Sequence, residues 1–324
     1  MRGVLSRRGW LAAAGWAGLG AGGGTVANAQ NVRRIVAVGG AITETLYALG
    51  AEAELVGVDT TSLYPAAATR LPSVGYARAL SAEGVLSLRP TLVLVSGEAG
   101  PPVVLRQLEA ARVPLQVLDA DHRIEGLLVR TRRIGQLVGR AEAGAALAAE
   151  IQRQWQATLA RVAVLQRGVQ GTPAQQRGDQ QMAASARGAS RGAALPPGPA
   201  GPRVLFVLSH AMNQLRIGGR GTAADAVIGY AGARNAFADV DGFKPLTPEA
   251  AIAAAPDVLL VTDQGLQAAG GIDGLLTAPG LAATPAGRAR RVVSLEAMWL
   301  LGFGPRLPQA VAQLAERLHR VPGA

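Results

Sequence analysis

The sequence predicts an α/β protein built from two similar α/β lobes joined by a long connecting helix, with a ligand cleft between the lobes. Three observations carry that prediction. Short apolar runs alternate with stretches of helical spacing, one phrase of the alternation recurs at a fixed distance, and a segment poor in breakers separates the two copies.

Taken in chain order, Ile35–Val38 is an apolar run that ends at Gly39-Gly40, and residues 43–49 continue with helical spacing, so the opening reads as strand, tight turn, helix. Leu55–Val58 is a second strand. Residues 81–88 form a helix stopped by Pro90, residues 92–95 a strand, 103–111 a helix, and Leu115–Leu118 another strand. The second half repeats the scheme with a strand at 204–208, a helix at 223–231 and a strand at 258–261. The sharpest correspondence sets Leu80-Ser81-Ala82-Glu83, Pro90 and Leu94-Val95 against Leu246-Thr247-Pro248-Glu249, Pro256 and Leu260-Val261, each 166 residues later.

Between the halves, residues 125–166 carry apolar side chains at helical spacing, from Leu127 through Ile134 and Ile151 to Trp155 and Leu159. One or two helices there make a stiff connector, with Gly135, Gly139 and Gly144 as points of interruption. Residues 167–202 are rich in Gln, Gly, Ala, Ser, Arg and Pro and poor in large apolar residues. Such a stretch buries too little surface to offset its ordering entropy and is expected to be a disordered insertion. The expected division is therefore a leader at 1–29, an N-terminal lobe at 30–124, the connector at 125–166, the insertion at 167–202 and a C-terminal lobe at 203–324.

The leader is read from Ser6-Arg7-Arg8-Gly9-Trp10-Leu11, a weakly apolar run, and Ala27-Asn28-Ala29 just before Gln30. A charged start, a short apolar stretch and an A-x-A exit describe a signal peptide, and paired arginines resemble a twin-arginine signal. The run is too short for a membrane span, which takes about 20 apolar residues. Export predicts a periplasmic location. No cysteine is present, so disulfides, thiolate metal sites and lipid attachment through cysteine are unavailable. The formal charge of +10 comes almost wholly from arginines scattered along the chain, with Lys244 the single lysine. No aromatic–basic stripe accompanies them, so nucleic acid is not an expected partner. The three histidines, His122, His210 and His319, are too few for a zinc site, and neither a nucleophile elbow nor a phosphate loop occurs. His122 and His319 are expected at the surface.

Two segments stand out chemically. In Leu71-Pro72-Ser73-Val74-Gly75-Tyr76-Ala77-Arg78, Tyr76 falls in a loop after a strand with Arg78 two residues on. In extended chain those side chains share a side, and the cation favours a phenolate. In Val204-Leu205-Phe206-Val207-Leu208-Ser209-His210, His210 comes just past a strand's carboxyl end, where α/β sheets gather ligands.

These segments, with Gly39-Gly40-Ala41-Ile42-Thr43-Glu44, Val58-Asp59-Thr60-Thr61-Ser62 and Leu301-Gly302-Phe303-Gly304, resemble the haemin-binding proteins of bacterial haem-uptake ABC transporters. The resemblance runs from about Arg34 to Leu318, the insertion excepted. It implies haem as the transported ligand, Tyr76 as iron ligand, His210 as a second ligand from the other lobe, and Arg78 beside the haem. Arg216 and Arg220 are further candidates for the propionates. Ala77 stands where methionine is commoner, and Ala211-Met212 follows the histidine where small glycines are usual, so Met212 competes with His210 for the second axial position. The resemblance also implies docking of Glu83 and Glu249 onto a transporter permease dimer, with an outer-membrane haem receptor system upstream. For the two glutamates, the simpler reading is an exposed carboxylate in a helix's first turn, favoured by the helix dipole. A siderophore or cobalamin carrier shares the architecture but gives no reason for the Tyr76 and His210 segments. A haem-handling enzyme would need a distal acid–base pair, which the sequence does not display.

Overall fold

A computed structural model of the protein describes residues 33–169, 201–208 and 215–319. The leader, His210, Met212 and nearly all of the insertion lie outside the described residues. The first lobe holds a parallel four-stranded sheet of β1 (Ile35–Val38), β2 (Leu55–Val58), β5 (Leu92–Ser96) and β6 (Leu115–Leu118), in the order β2-β1-β5-β6. A two-stranded hairpin, β3 (Gly75–Tyr76) and β4 (Ala79–Leu80), stands apart from it. All four residues of β1 are fully buried, as expected for a parallel strand covered on both faces. Alternation then sorts its side chains. Ile35 and Ala37 join Leu92 and Leu94 in a core under α1 (Gly40–Ala48), whereas Val36 and Val38 join Val93 and Val95 in a core against α2 (Ala82–Ser87) and α3 (Pro102–Ala110).

The second lobe repeats the three layers around β7 (Arg203–Leu208), β11 (Val258–Thr262) and β12 (Val292–Leu295), which run parallel. Val204, Phe206, Val258 and Leu260 face one core, and Leu205, Val207, Leu259 and Val261 the other. The copies diverge at one edge. There β8 (Arg216–Gly218) pairs antiparallel with β7 and with β10 (Phe243–Pro245), while β9 (Arg234–Asn235) adds to β7 in parallel. The helices of this lobe are α6 (Ala223–Tyr230), α7 (Pro248–Ala254), α8 (Asp263–Ala268), α9 (Gly271–Leu276), α10 (Pro285–Arg288), α11 (Ala297–Leu301) and α12 (Leu307–His319).

The connector consists of two helices, α4 (Ile124–Leu137) and α5 (Ala141–Val169), one of the two forms that the spacing allowed, rather than one continuous helix. Gly139 takes φ 72°, a left-handed conformation that ends α4 and turns the chain. α4 belongs to both cores: Ile134 packs with the first lobe, Ile124, Leu127 and Leu128 with the second. α5, roughly 43 Å long at 1.5 Å per residue, lies on the second lobe through Ile151, Trp155 and Val162. Trp155 meets Tyr230 edge-to-face at 4.7 Å.

Direct contacts tie the lobes together. Glu44, at 8% exposed, accepts from the Arg306 guanidinium (2.9 Å) and from the Arg306 backbone N–H (3.1 Å). The same guanidinium lies 3.4 Å from the centre of the Tyr64 ring. Arg130, buried in α4, donates to the carbonyls of Asp119 (2.8 Å) and Phe303 (2.5 Å), and its burial pulls its pKa down.

Candidate functional site

Ligand sites in α/β sheets form where strands end at their carboxyl side, and in the first lobe those ends are densely hydrogen-bonded. Gly39 follows β1 at φ 124°, a conformation open only to glycine, and its N–H meets the buried carboxylate of Asp59 at the end of β2. Asp59 also accepts from the Thr61 backbone and hydroxyl and from the Ser62 hydroxyl, between 2.7 and 3.1 Å. A buried carboxylate with four donors and no cation among the described residues is a rigid corner, and it fixes the loop that leads to Leu63 and Tyr64.

Against that corner stands the β3–β4 hairpin. Thr60 N–H donates to the Gly75 carbonyl (2.9 Å) and Val74 N–H to Val58 (2.9 Å), which tie the hairpin to the end of β2. Leu80 N–H donates to Gly100 and Gly100 N–H to Ala77, both 2.9 Å, tying it to the loop after β5. The sheet ends thus hold the hairpin on two sides, with Ala77 buried beneath it and the Tyr76 side chain 48% exposed. No hydrogen bond to the Tyr76 hydroxyl occurs among the described residues. A large aromatic held by its backbone and left open at its oxygen is poised for a ligand.

Arg78 differs from the sequence expectation. Tyr76 is in β3 and pairs with Ala79, whereas Arg78 occupies the two-residue turn, so the alternation of an extended strand does not govern the pair. Its guanidinium reaches instead to Glu98, just past β5, at 2.6 Å. That hydrogen bond is the main reason its pKa is raised, with the negative charges of Glu98 and a Tyr76 phenolate adding to it.

Arg216 and Arg220 sit on or just after β8. Arg220 is exposed and pairs with Asp241 at 2.7 Å, which raises the arginine and holds the aspartate below the usual carboxylate range. Arg216 is also exposed, but it donates only to the Phe243 carbonyl (2.9 Å) and has no carboxylate partner among the described residues. It stands opposite Leu208 at the end of β7, where the chain leaves for His210. Of the three arginines, Arg216 retains the charge least compensated among the described residues.

Of the other two histidines, expected at the surface, His319 is buried and His122 only partly exposed. His122 is half-buried with its ring 5.1 Å from Phe303. His319 is 7% exposed and donates through Nε2 to the Ala231 carbonyl at 3.0 Å. Both are held by packing from distant parts of the chain, which sequence position alone does not reveal. Leu63 and Tyr64, each 46% exposed beside the Asp59 corner, were also not singled out. Their only sequence signal is membership of the segment after Val58-Asp59-Thr60-Thr61-Ser62.

Glu83 and Glu249 lie apart from this site, in the first turns of α2 and α7, and both are exposed. No helix among the described residues is long and apolar enough to cross a membrane.

The sequence profile of the periplasmic binding protein family matches residues 35–170 and 175–298. Among solved structures, the periplasmic haem-binding protein BhuT in complex with two haems is 48% identical, with TM-score 0.74, over 89% of this chain and 98% of that one. RhuT from Roseiflexus sp. RS-1, a periplasmic haem-binding protein in apo form, is 39% identical with TM-score 0.74 over 89% and 98%. A periplasmic haem-binding protein from Pseudomonas aeruginosa is 35% identical with TM-score 0.75 over 90% and 94%. Curated relatives include the vitamin B12-binding protein of Yersinia pestis, 33% identical over 94 residues, or 29% of this chain. The chain spans about a third (34%) of the length of the curated relatives it matches.

Proposed function

The chain belongs to the periplasmic binding protein family, and from that premise we propose that it is a haem carrier that delivers haem to an inner-membrane ABC importer without transforming it. The observation that carries the reading is Tyr76, held on a braced hairpin with its hydroxyl unengaged among the described residues, in a chain 48% identical to a haem-binding protein along nearly that protein's whole length. The leader at residues 1–29 directs export to the periplasm.

The chemistry follows from haem itself. The porphyrin supplies four nitrogen ligands, so the protein need provide only an axial donor. A phenolate from Tyr76 suits ferric iron, an oxygen-accepting Lewis acid. His210 or Met212 serves the second axial position. Arg216 takes a propionate, as a guanidinium without a carboxylate of its own can form a charge-assisted pair. Arg78 and Arg220 would first have to leave Glu98 and Asp241. The exposed Leu63 and Tyr64 side chains offer apolar surface for the macrocycle, whose burial at about 25 cal/mol per Å² supplies much of the affinity. Glu83 and Glu249 dock on the permease dimer.

Titration of the purified mature protein with haemin tests this by absorption spectroscopy. A charge-transfer band of tyrosinate-bound ferric haem is expected, absent in Tyr76→Ala. No spectral change with haemin refutes the carrier reading; an unchanged band in Tyr76→Ala refutes the ligand assignment. The vitamin B12-binding relatives favour cobalamin as a second reading, on a match that covers only 34% of those proteins. Cyanocobalamin that displaces haem at equal concentration would favour it.

A further inference from the structure

The repeat at 166 residues supplies an internal comparison for the salt bridge between Arg78 and Glu98. In that register β5 (Leu92–Ser96) and β11 (Val258–Thr262) coincide residue for residue. Glu98, two residues past β5, therefore corresponds to Gln264, two residues past β11, and Arg78 corresponds to Lys244. In the first lobe these positions hold a cation and a carboxylate 2.6 Å apart. In the second lobe the cation is kept and the carboxylate is not. Gln264 turns to the start of α11, donating to the Glu296 carboxylate (3.3 Å) and accepting from Ala297 N–H (3.2 Å). Lys244 forms no ion pair among the described residues. A lobe of this design closes without an ion pair at this place.

Nor does the Tyr76 hairpin need the pair. Backbone hydrogen bonds already fix it to the end of β2, through Thr60 and Val74, and to the loop after β5, through Leu80 and Gly100. The Arg78 and Glu98 side chains are 52% and 45% exposed, and an ion pair that open to water adds little to stability. Its consequence is to occupy Arg78. Glu98 is itself set in position: its N–H donates to the Ser96 hydroxyl (3.4 Å), and Gly97 N–H donates to the Leu118 carbonyl (2.7 Å). The carboxylate is thus presented from the carboxyl ends of β5 and β6, beside the hairpin that carries Tyr76.

We propose that Glu98 is a place-holding carboxylate, which engages Arg78 while the site is empty and yields it to a propionate of the entering haem. This role rests on the haem-carrier function proposed above. One carboxylate replaces another on the same guanidinium, so the cation is compensated in both states. Affinity falls by the fraction of time that Glu98 keeps Arg78 from the ligand, and only for ligands that bear a carboxylate. At release Glu98 is an internal competitor already in place. Arg216, with no carboxylate partner among the described residues, meets no such competition. Glu98 acts through Arg78 and is a positioning residue.

The test compares haemin with haemin dimethyl ester, whose propionates are uncharged, on the mature protein and on Glu98→Gln. Glu98→Gln is expected to bind haemin about threefold to fivefold more tightly and to surrender it to apomyoglobin more slowly by a similar factor. Its affinity for the ester should stay within about twofold of wild type. An equal gain for the ester, or no gain for haemin, would overturn the role. If Glu98→Gln weakens both ligands by disturbing the hairpin, the crystal structure of the haem-loaded wild type decides. Arg78 on a propionate and more than about 4 Å from Glu98 supports the exchange, and Arg78 still on Glu98 overturns it. Wild type that gives no spectral change with haemin would overturn the carrier function together with this role, whereas haemin binding indifferent to Glu98→Gln would overturn this role alone.

Discussion

Replacing Arg306 by methionine should cost the folded protein about 3 kcal/mol, more than its place on a loop before α12 would suggest. The guanidinium is 26% exposed and pairs with a Glu44 carboxylate that is only 9% exposed. Removing one partner of a well-buried pair leaves an uncompensated charge at a cost of about 3–5 kcal/mol, and the partial exposure of Arg306 trims this to roughly 2–3. Loss of the contact with the Tyr64 ring adds about 0.5–1 kcal/mol. The assay is a double-mutant cycle of Glu44→Gln, Arg306→Met and the double variant in urea unfolding. Tryptophan fluorescence reports locally, since the Trp299 indole donates to the Arg306 carbonyl at 3.3 Å. The double variant should be less destabilised than the sum of the singles, with a coupling of about 1.5 kcal/mol or more. Additivity within about 0.5 kcal/mol would refute the reasoning and mean that the Glu44–Arg306 pair adds nothing to the hold between the lobes.

Arg216→Ala should weaken haem binding about tenfold, the loss of one charge-assisted contact, whereas Arg220→Ala, already committed to Asp241, should change it little; equal losses in haemin titrations would contradict the distinction. Trp155→Ala removes a 3%-exposed ring from the second core and should destabilise by about 3–5 kcal/mol in urea unfolding, so a loss below about 1 kcal/mol would contradict the packing described. For Asp121, hydrogen bonds from Arg123 hold the carboxyl below its usual range, against the opposing effect of burial. A depressed folded pKa contributes stability above the unfolded value near 3.9 and loses it as pH falls through the folded value. Asp121→Asn should therefore melt slightly below wild type at pH 6, with the gap closing below about pH 4; a gap that grows in acid would show the sign to be wrong.

The interior strands were legible because parallel strands covered on both faces are written as unbroken apolar runs, as Ile35–Val38 and Val258–Thr262 are. The duplicated phrase at 166 residues was legible for a related reason: a cap, an acid, a buried residue and a proline are all local signals. β8 and β10 escaped notice, since three-residue strands at an antiparallel edge carry too little pattern. Helices α8 to α11, five or six residues or fewer, were missed likewise.

Tyr76 and Arg78 show where the boundary falls within the site. Their residue types and neighbours marked them out, but the hairpin that braces Tyr76 and turns Arg78 toward Glu98 comes from hydrogen bonds to two different strand ends. Which arginine keeps an uncompensated charge depends on where Glu98 and Asp241 arrive in space. The packing of His122 against Phe303, the burial of His319 and the pairing of Glu44 with Arg306, 262 residues apart, are of the same kind. By itself the sequence determined two α/β lobes, a helical connector and the likeness to haem-binding carriers, because periodicity, capping and motif are properties of neighbouring residues. Only the tertiary structure decided how the lobes are latched and which charges are paired, because those depend on long-range contacts that leave no local pattern.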